Sequence, residues 1–344
     1  MHKEITIYDL ARELNLSSAT VSRALRGHPG INKDTRKRVV DVAEARGYQS
    51  NTFASNLRRK KTNTIGVIIP RLNSHFVSSA LSAMEKVCND AGYNIIISQS
   101  MESVAKEIVN AKTMFDNRVD GLLVSLAYDS ENINHFEKFN RKGIPVIFFD
   151  RVFQNNESVC IVIDNYKNAY DVTKLLIEEG CRRIMHVTGD LKRNVYNDRF
   201  IGYKKAMKDA GIPFDENLLV TGELTELAGI EVGELILTME KLPDAIFVAN
   251  DICAASCMRV LKQNGVQIPG DIAIAGFNND PISRMVEPNI TTVNYPAYEM
   301  GEVAATTLIN HLKEIVTIQG AHKIVLKSEV LIRESTQKKS RPRN

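Results

Sequence analysis

Apolar, β-rich runs recur along most of this chain at a spacing that points to a layered α/β architecture. A first set begins near Ile65 (IGVII), Asn94 (NIIIS), Gly121 (GLLVS) and Pro145 (PVIFF), at intervals of 29, 27 and 24 residues. A second begins near Ile184 (IMHVTG), Leu218 (LLVTG), Ala245 (AIFVA) and Ile272 (IAIAGF), at intervals of 34, 27 and 27. Amphipathic stretches, for example 79–91 and 251–264, fill the gaps. Strands separated by helices pair in parallel, with helices on the sheet faces. Two such sets predict two similar lobes with a cleft between them.

The first 48 residues follow a different pattern, three short helices. Thr6 to Asp9 has the form of a capping box, and Leu10, Ala11 and Leu14 follow as an apolar stripe. Ser17 is placed to cap a second helix with Val21, Ala24 and Leu25 inward. Gly27, Pro29 and Gly30 break the chain. A third helix over about 32–46 points Val39, Val42 and Ala43 inward and stops at Gly47. Two helices joined by a very short turn and closed by a third form the helix-turn-helix plan, although a generic three-helix bundle has the same periodicity. Ser18, Ala19, Thr20, Ser22 and Arg23 lie off the apolar face of the second helix.

Charge is distributed accordingly. Residues 1–61 hold 13 Lys/Arg against 6 Asp/Glu, a balance of +7, whereas the remaining 283 hold 31 against 35, a balance of −4. A basic module on a slightly acidic body suits a polyanionic partner, and a solvated helical surface is the plainer alternative. From Gln49 to Thr64 the apolar pattern fades into a segment ending in four consecutive cations, Arg58 to Lys61.

Other function classes lack their signatures. With 44% hydrophobic and 25% charged residues over 344 positions, the chain can bury a sizeable core. No apolar run approaches the roughly 20 residues of a membrane span, and the first residues do not form an apolar signal region, so a cytoplasmic protein with no membrane partner is expected. Five cysteines scattered over the chain read as reduced thiols, and Cys253 and Cys257, one helical turn apart, as buried structural residues. No two of the 19 glycines are separated by a single residue, so no dinucleotide-binding fingerprint exists. Neither a phosphate loop, a nucleophile elbow nor metal-ligand spacing is found, and the expectation is no enzyme, no cofactor and no metal. Polar residues do follow the apolar runs, where ligands bind in open α/β sheets: Ser125, Asp150, Asn250 and Asn278. A carboxylate and two amides suit bidentate hydrogen bonds to vicinal hydroxyls, with Arg199 as a charged donor. Capping of the following helices is the competing reading for Asn250 and Asp251.

These residues resemble a known family. Thr6 to Ala11, Ser17 to Leu25, Thr35-Arg36, Gly47-Tyr48 and Ala54 to Leu57 are similar to the head-piece of the lactose/galactose repressor (LacI–GalR) family. The resemblance continues through Thr64 to Pro70, Val119 to Leu122, Phe148 to Arg151 and Pro288 to Val293. It implies a sequence-specific DNA-binding repressor of sugar-utilisation genes. A helix-turn-helix domain (1–48) and a hinge helix or linker (49–63) would precede a two-lobed, periplasmic-binding-protein-like effector and dimerisation domain (64–337) and a disordered basic tail (338–344). Ser18, Ala19 and Arg23 would read bases in the major groove, with Thr20 and Ser22 on phosphate and Ser17, Tyr8 and Asn32 as further DNA contacts. Within the hinge, Ala54 and above all Leu57 would enter the minor groove, Leu57 as a wedge. The effector, a sugar or sugar phosphate, would meet Phe76, Ser125, Asp150, Arg199, Asn250 and Asn278, with Arg193, Leu224 and Asn165 in second rank. Departures are visible: no proline follows Tyr48-Gln49, Asn278 stands where the family has aspartate, an aromatic near Leu224 is missing, and Tyr295 replaces a common glutamine. Tyr295 is therefore expected to supply stacking. No leucine-heptad tail follows the last strand, so a homodimer on a palindromic operator is expected, its surface involving helix 76–91 and a counterpart near Ser256 or Ser283. A pure small-molecule carrier would explain the body but not the basic head; an α/β enzyme would need a catalytic group that is missing.

Overall fold

The computed structural model describes residues 5–48, 61–153, 158–317, 320 and 322–338. The chain divides into two compact units, residues 1–62 and 63–344. Ala54, Leu57, most of the hinge segment and nearly all of the basic tail lie outside the described residues.

The first unit is three helices, α1 (Ile7–Leu14), α2 (Ser18–Leu25) and α3 (Lys33–Ala45). Each begins on a side-chain cap that satisfies an otherwise unpaired N–H. Thr6 and Asp9 form the reciprocal capping box, Ser17 Oγ accepts from the Thr20 N–H, and Asn32 Oδ1 accepts from the Thr35 N–H at 2.7 Å. Asn15, in the left-handed region at φ 51°, ends α1, and Ser17 opens α2 two residues later. Gly47, at φ 63°, turns the chain out of α3. Leu10, Ala11 and Leu14 pack on Val21, Ala24, Val39 and Ala43. Complete burial of Leu10, Val21 and Val39 contributes on the order of 1.5–3 kcal/mol each. An ion pair from Arg46 to Glu13 (3.0 Å) ties α3 to α1.

The second unit holds two parallel sheets. The first comprises β1 (Thr64–Ile69), β2 (Asn94–Gln99), β3 (Gly121–Val124), β4 (Val146–Phe149), β5 (Val159–Ile163) and the late strand β11 (Lys323–Leu326), in the order β11-β5-β4-β3-β1-β2. The second comprises β6 (Ile184–Thr188), β7 (Leu219–Thr221), β8 (Ala245–Val248) and β9 (Ala273–Ala275), in the order β7-β6-β8-β9. A short antiparallel pair, β10 (Thr292–Asn294) and β12 (Glu329–Leu331), completes the strands described. All eight apolar runs read from the sequence are strands; β5, β10, β11 and β12 are additional. The inner strands are buried along almost their whole length because helices cover both faces.

Helices α4 (His75–Asp90), α5 (Val104–Asp116) and α6 (Glu137–Arg141) belong to the first lobe, and α7 (Asn165–Glu178), α8 (Asn194–Asp209), α9 (Glu226–Leu237) and α10 (Asp251–Gln263) to the second. A last helix, α11 (Ala297–Leu312), returns to pack on α4 and on β3, β4 and β5. The chain therefore passes between lobes three times: from β5 to α7, from β10 to α11, and from β11 to β12. Helix α4, expected to meet a second subunit, buries one face (Phe76, Val77, Ala80, Leu81, Met84 and Cys88) and exposes Ser78, Ser82, Glu85 and Lys86 on the other, while Ser256 and Ser283 are buried. The apolar residues that this lobe exposes include Ile96 and Ile97 on β2, Ile108 and Val109 on α5 and Val325 on β11. No helix among the described residues is long and apolar enough to cross a membrane.

Candidate functional site

In the first unit, α2 turns Val21 and Ala24 inward and exposes Ala19 and Arg23 on the opposite face, with Ser18, Thr20 and Ser22 half-buried at its flanks. Arg23 Nε donates to the Ala19 carbonyl at 3.3 Å, laying the guanidinium along the exposed face. Three expected DNA contacts have local tasks too. Ser17 and Thr20 share a 2.8 Å hydroxyl bond at the start of α2, and Asn32 caps α3. Tyr8 is 69% exposed on α1.

In the second unit, a cavity of about 600 Å³ opens between the lobes. Of the expected effector residues, Phe76, Asp150, Arg199, Leu224, Asn250, Asn278 and Tyr295 line it. Asp150, at the end of β4, adopts a left-handed backbone (φ 59°) that turns it away from the strand path. Its Oδ1 accepts from Tyr295 Oη at 2.7 Å and its Oδ2 from Ser125 Oγ at 3.3 Å. Tyr295 also packs on Phe76, ring centroids 4.6 Å apart. Arg199 extends from α8 under the cavity: its guanidinium stacks on Phe277 at 3.6 Å, Nε donates to Asn165 Oδ1 and Nη1 to the Ala249 carbonyl, both at 2.9 Å. Burial lowers the Arg199 pKa from its ordinary value. Asn250 lines the cavity and caps α10 through Oδ1, accepting from the Ile252 and Cys253 N–H groups. Asn278 follows β9 at φ 113°.

Three expected residues are behind the lining. Ser125 is buried and acts on Asp150; Asn165 is buried and acts on Arg199; Arg193 is buried at the start of α8, where Nη2 donates to the Ser130 carbonyl. They position the site without reaching the cavity. Asp251, beside Asn250, is internal also. It accepts from Thr292 Oγ1 (2.7 Å) and the Asp280 N–H (2.8 Å), and burial pushes its carboxyl well above the usual range.

Sequence reading missed a second set of lining groups. Arg151 donates from Nη1 to both oxygens of Glu102 (3.0 and 2.8 Å) and from Nη2 to Tyr196 Oη (3.1 Å), with its guanidinium 4.4 Å over the Tyr128 ring. Burial opposes its charge, yet Tyr196, Tyr128 and Glu102 around it hold the pKa above the ordinary value. Arg71 bridges Glu102 of its own lobe (3.5 Å) and Glu223 of the other (3.0 Å). Asn194 adds a lobe-to-lobe clasp, accepting from the Val152 N–H and donating to the Asp150 carbonyl. The signal for Arg151 was its place directly after Asp150. Among the described residues, no three His, Cys, Asp or Glu side chains are placed to hold a metal ion.

Comparison with known proteins joins the two units. Residues 6–51 match the model of the lacI family of bacterial regulatory proteins, and residues 173–336 match a periplasmic binding protein-like domain. The chain is 34% identical over 325 residues to catabolite control protein A of Priestia megaterium, covering 93% of this chain and 97% of that protein. It is 28% identical to the ribose operon repressor of Haemophilus influenzae, over 96% of this chain and 98% of that one. In fold it is similar to the lac repressor dimer bound to operator and the anti-inducer ONPF, with a TM-score of 0.83 at 21% identity, covering 97% of this chain and 99% of that chain. A capped helix-turn-helix unit, a two-lobed body of parallel sheets and near full-length identity to regulators place the chain in the lacI family: it is a DNA-binding transcriptional regulator and not an enzyme.

Proposed function

We propose that this regulator is a cytoplasmic homodimeric repressor of sugar-utilisation genes that binds a palindromic operator and is controlled by a sugar in the interlobe cavity. In this reading residues 1–48 grip DNA, 49–63 form the hinge, 64–337 sense the ligand and dimerise, and 338–344 are a basic tail. Ser18, Ala19 and Arg23 read bases, Arg23 through guanine O6 and N7, while Thr20, Ser22, Ser17, Tyr8 and Asn32 face the backbone. Ala54 and Leu57 act from the hinge in the minor groove.

The observation that carries the ligand half is the convergence of Asp150, Arg199, Asn250 and Asn278 on one cavity from the ends of β4, β8 and β9 and from α8. Its lining includes both lobes, so a ligand held there interacts differently with different lobe orientations, and only such a difference in affinity moves the equilibrium. The similarity to a ribose operon repressor supports a sugar as that ligand.

Selection of binding sites from a random duplex library, with full-length protein at fixed salt, tests the reading. An enriched palindrome is the expected result, whether it emerges from protein alone or only after a panel of sugars is added. Enrichment under neither condition defeats it. Affinity for the enriched site should fall steeply with salt as counterions are released from phosphates.

A further inference from the structure

Three guanidinium groups line the cavity, and each is already matched within the protein. Arg151 is committed to Glu102 and Tyr196. Arg199 lies on Phe277 and donates to Asn165 and Ala249. Arg71, with a third of its side chain exposed, is held between Glu102 and Glu223. His75, a fourth basic side chain of the lining, is set against Asp280.

Carboxylates match these cations. The lining contains Glu102, Asp150, Glu223, Glu226 and Asp280. Burial pushes the Asp280 carboxyl up towards its neutral form, and Glu226 pairs outward with Arg259 at 3.6 Å. Asp150 and Glu102 lie deep in the lining, 8% and 9% exposed. A phosphate group entering here would compete with a carboxylate for Arg71 and face like charge in a partly desolvated space, where such juxtaposition weakens binding. A hydroxyl group, donor and acceptor at once, meets no such conflict: it donates to the spare lone pairs of Asp150 and accepts from the amides of Asn250 and Asn278.

We propose that the cavity takes an uncharged polyhydroxy compound and rejects its phosphate ester, with Glu223 and Glu102 as specificity-determining residues through their hold on Arg71. This rests on the reading of the cavity as a sugar site and narrows it.

Calorimetric titration of the full-length protein with matched pairs tests it: glucose and glucose 6-phosphate, fructose and fructose 6-phosphate, ribose and ribose 5-phosphate. At least one parent sugar should bind about tenfold or more tightly than its ester, the scale that a modest like-charge penalty produces. In the E223Q variant, whose Arg71 is released from one carboxylate, the same ratio should narrow by about threefold or more. An ester that binds as tightly as its parent overturns the charge selection and leaves the sugar reading standing. An unchanged ratio in E223Q overturns the role of Glu223. No binding by any member of either series defeats the sugar reading, and this proposal with it.

Discussion

The Tyr295 hydroxyl donates to the Asp150 carboxylate across 2.7 Å, joining the segment that leads into the last long helix to the end of the fourth strand. Tyr295 does more than offer a ring for stacking. Both residues are buried, so the carboxylate depends on this bond and on the weaker one from Ser125 for its solvation. Tyr295→Phe keeps the ring against Phe76 and removes only the donor. It should lower the stability of the body by about 1.5–3 kcal/mol, the range for a hydrogen bond to a charged group. Urea denaturation of both proteins reads this directly, and an unchanged midpoint would show that Asp150 does not need the phenol.

Gly276 faces the carboxylate of Asp251. A methyl group built at Gly276 would be 2.1 Å from Asp251 Oδ1, so Gly276→Ala must displace a carboxylate that holds Thr292 and the Asp280 N–H. Overpacking combined with a disturbed buried network should cost about 2–4 kcal/mol. The loss should appear as a lower thermal midpoint of the body, and a double variant with Asp251→Asn should show less than the sum of the two single losses.

Arg23→Ala should reduce affinity for the selected operator by about 1–3 kcal/mol while affecting random duplex much less. Binding isotherms on both duplexes at one salt concentration separate the cases. Equal losses on the two would assign Arg23 to the backbone and remove it from base readout.

His186 gives the body a defined acid sensitivity. Its ring is sealed among Phe247, Tyr203 and Phe200, its Nδ1 faces the Phe247 carbonyl at 3.1 Å, and its Nε2 has no partner. Burial pushes its pKa down from 6.5 to about 3. The unfolded chain therefore takes up a proton near pH 6.5 that the folded chain refuses until about pH 3, and stability falls as pH drops through that window. Between pH 7 and pH 5 this one group should remove about 2 kcal/mol. His186→Phe, which keeps an aromatic ring in the stack, should flatten the slope of unfolding free energy against pH over that interval.

The strands of the two lobes were legible because strands buried on both faces read as uninterrupted apolar runs. Val159–Ile163 is equally apolar but follows the preceding strand after only nine residues, so the repeat spacing passed over it. The three-residue strands at 292–294 and 329–331 are too short to carry a period. Within the cavity, Asp150, Asn250 and Asn278 were legible from their places after strands. Glu102 with Arg151 and Arg71 with Glu223 were not, since partners 49 and 152 residues apart leave no local pattern. Ser125 and Arg193 show the converse: polar residues beside a site were expected to touch ligand, and instead they brace the side chains and loops around it.

The strand at 323–326 closes the first lobe's sheet beside the strand at 159–163, and the helix at 297–312 covers the same lobe. Both lobes are therefore completed only as the end of the chain arrives, though not to the same degree. While the polypeptide emerges from the ribosome, the lobe made first keeps an open sheet edge and an uncovered apolar face until its last elements arrive. The lobe made second has its four sheet strands and their helices within residues 165–275 and waits only for residues 329–336, which pair with the strand at 292–294 and donate from Ser335 Oγ to the Ile274 carbonyl. A nascent regulator truncated before residue 297 would thus lack a helix and a strand of the first lobe, and of the second only the short strand and turn that cap its last sheet strand.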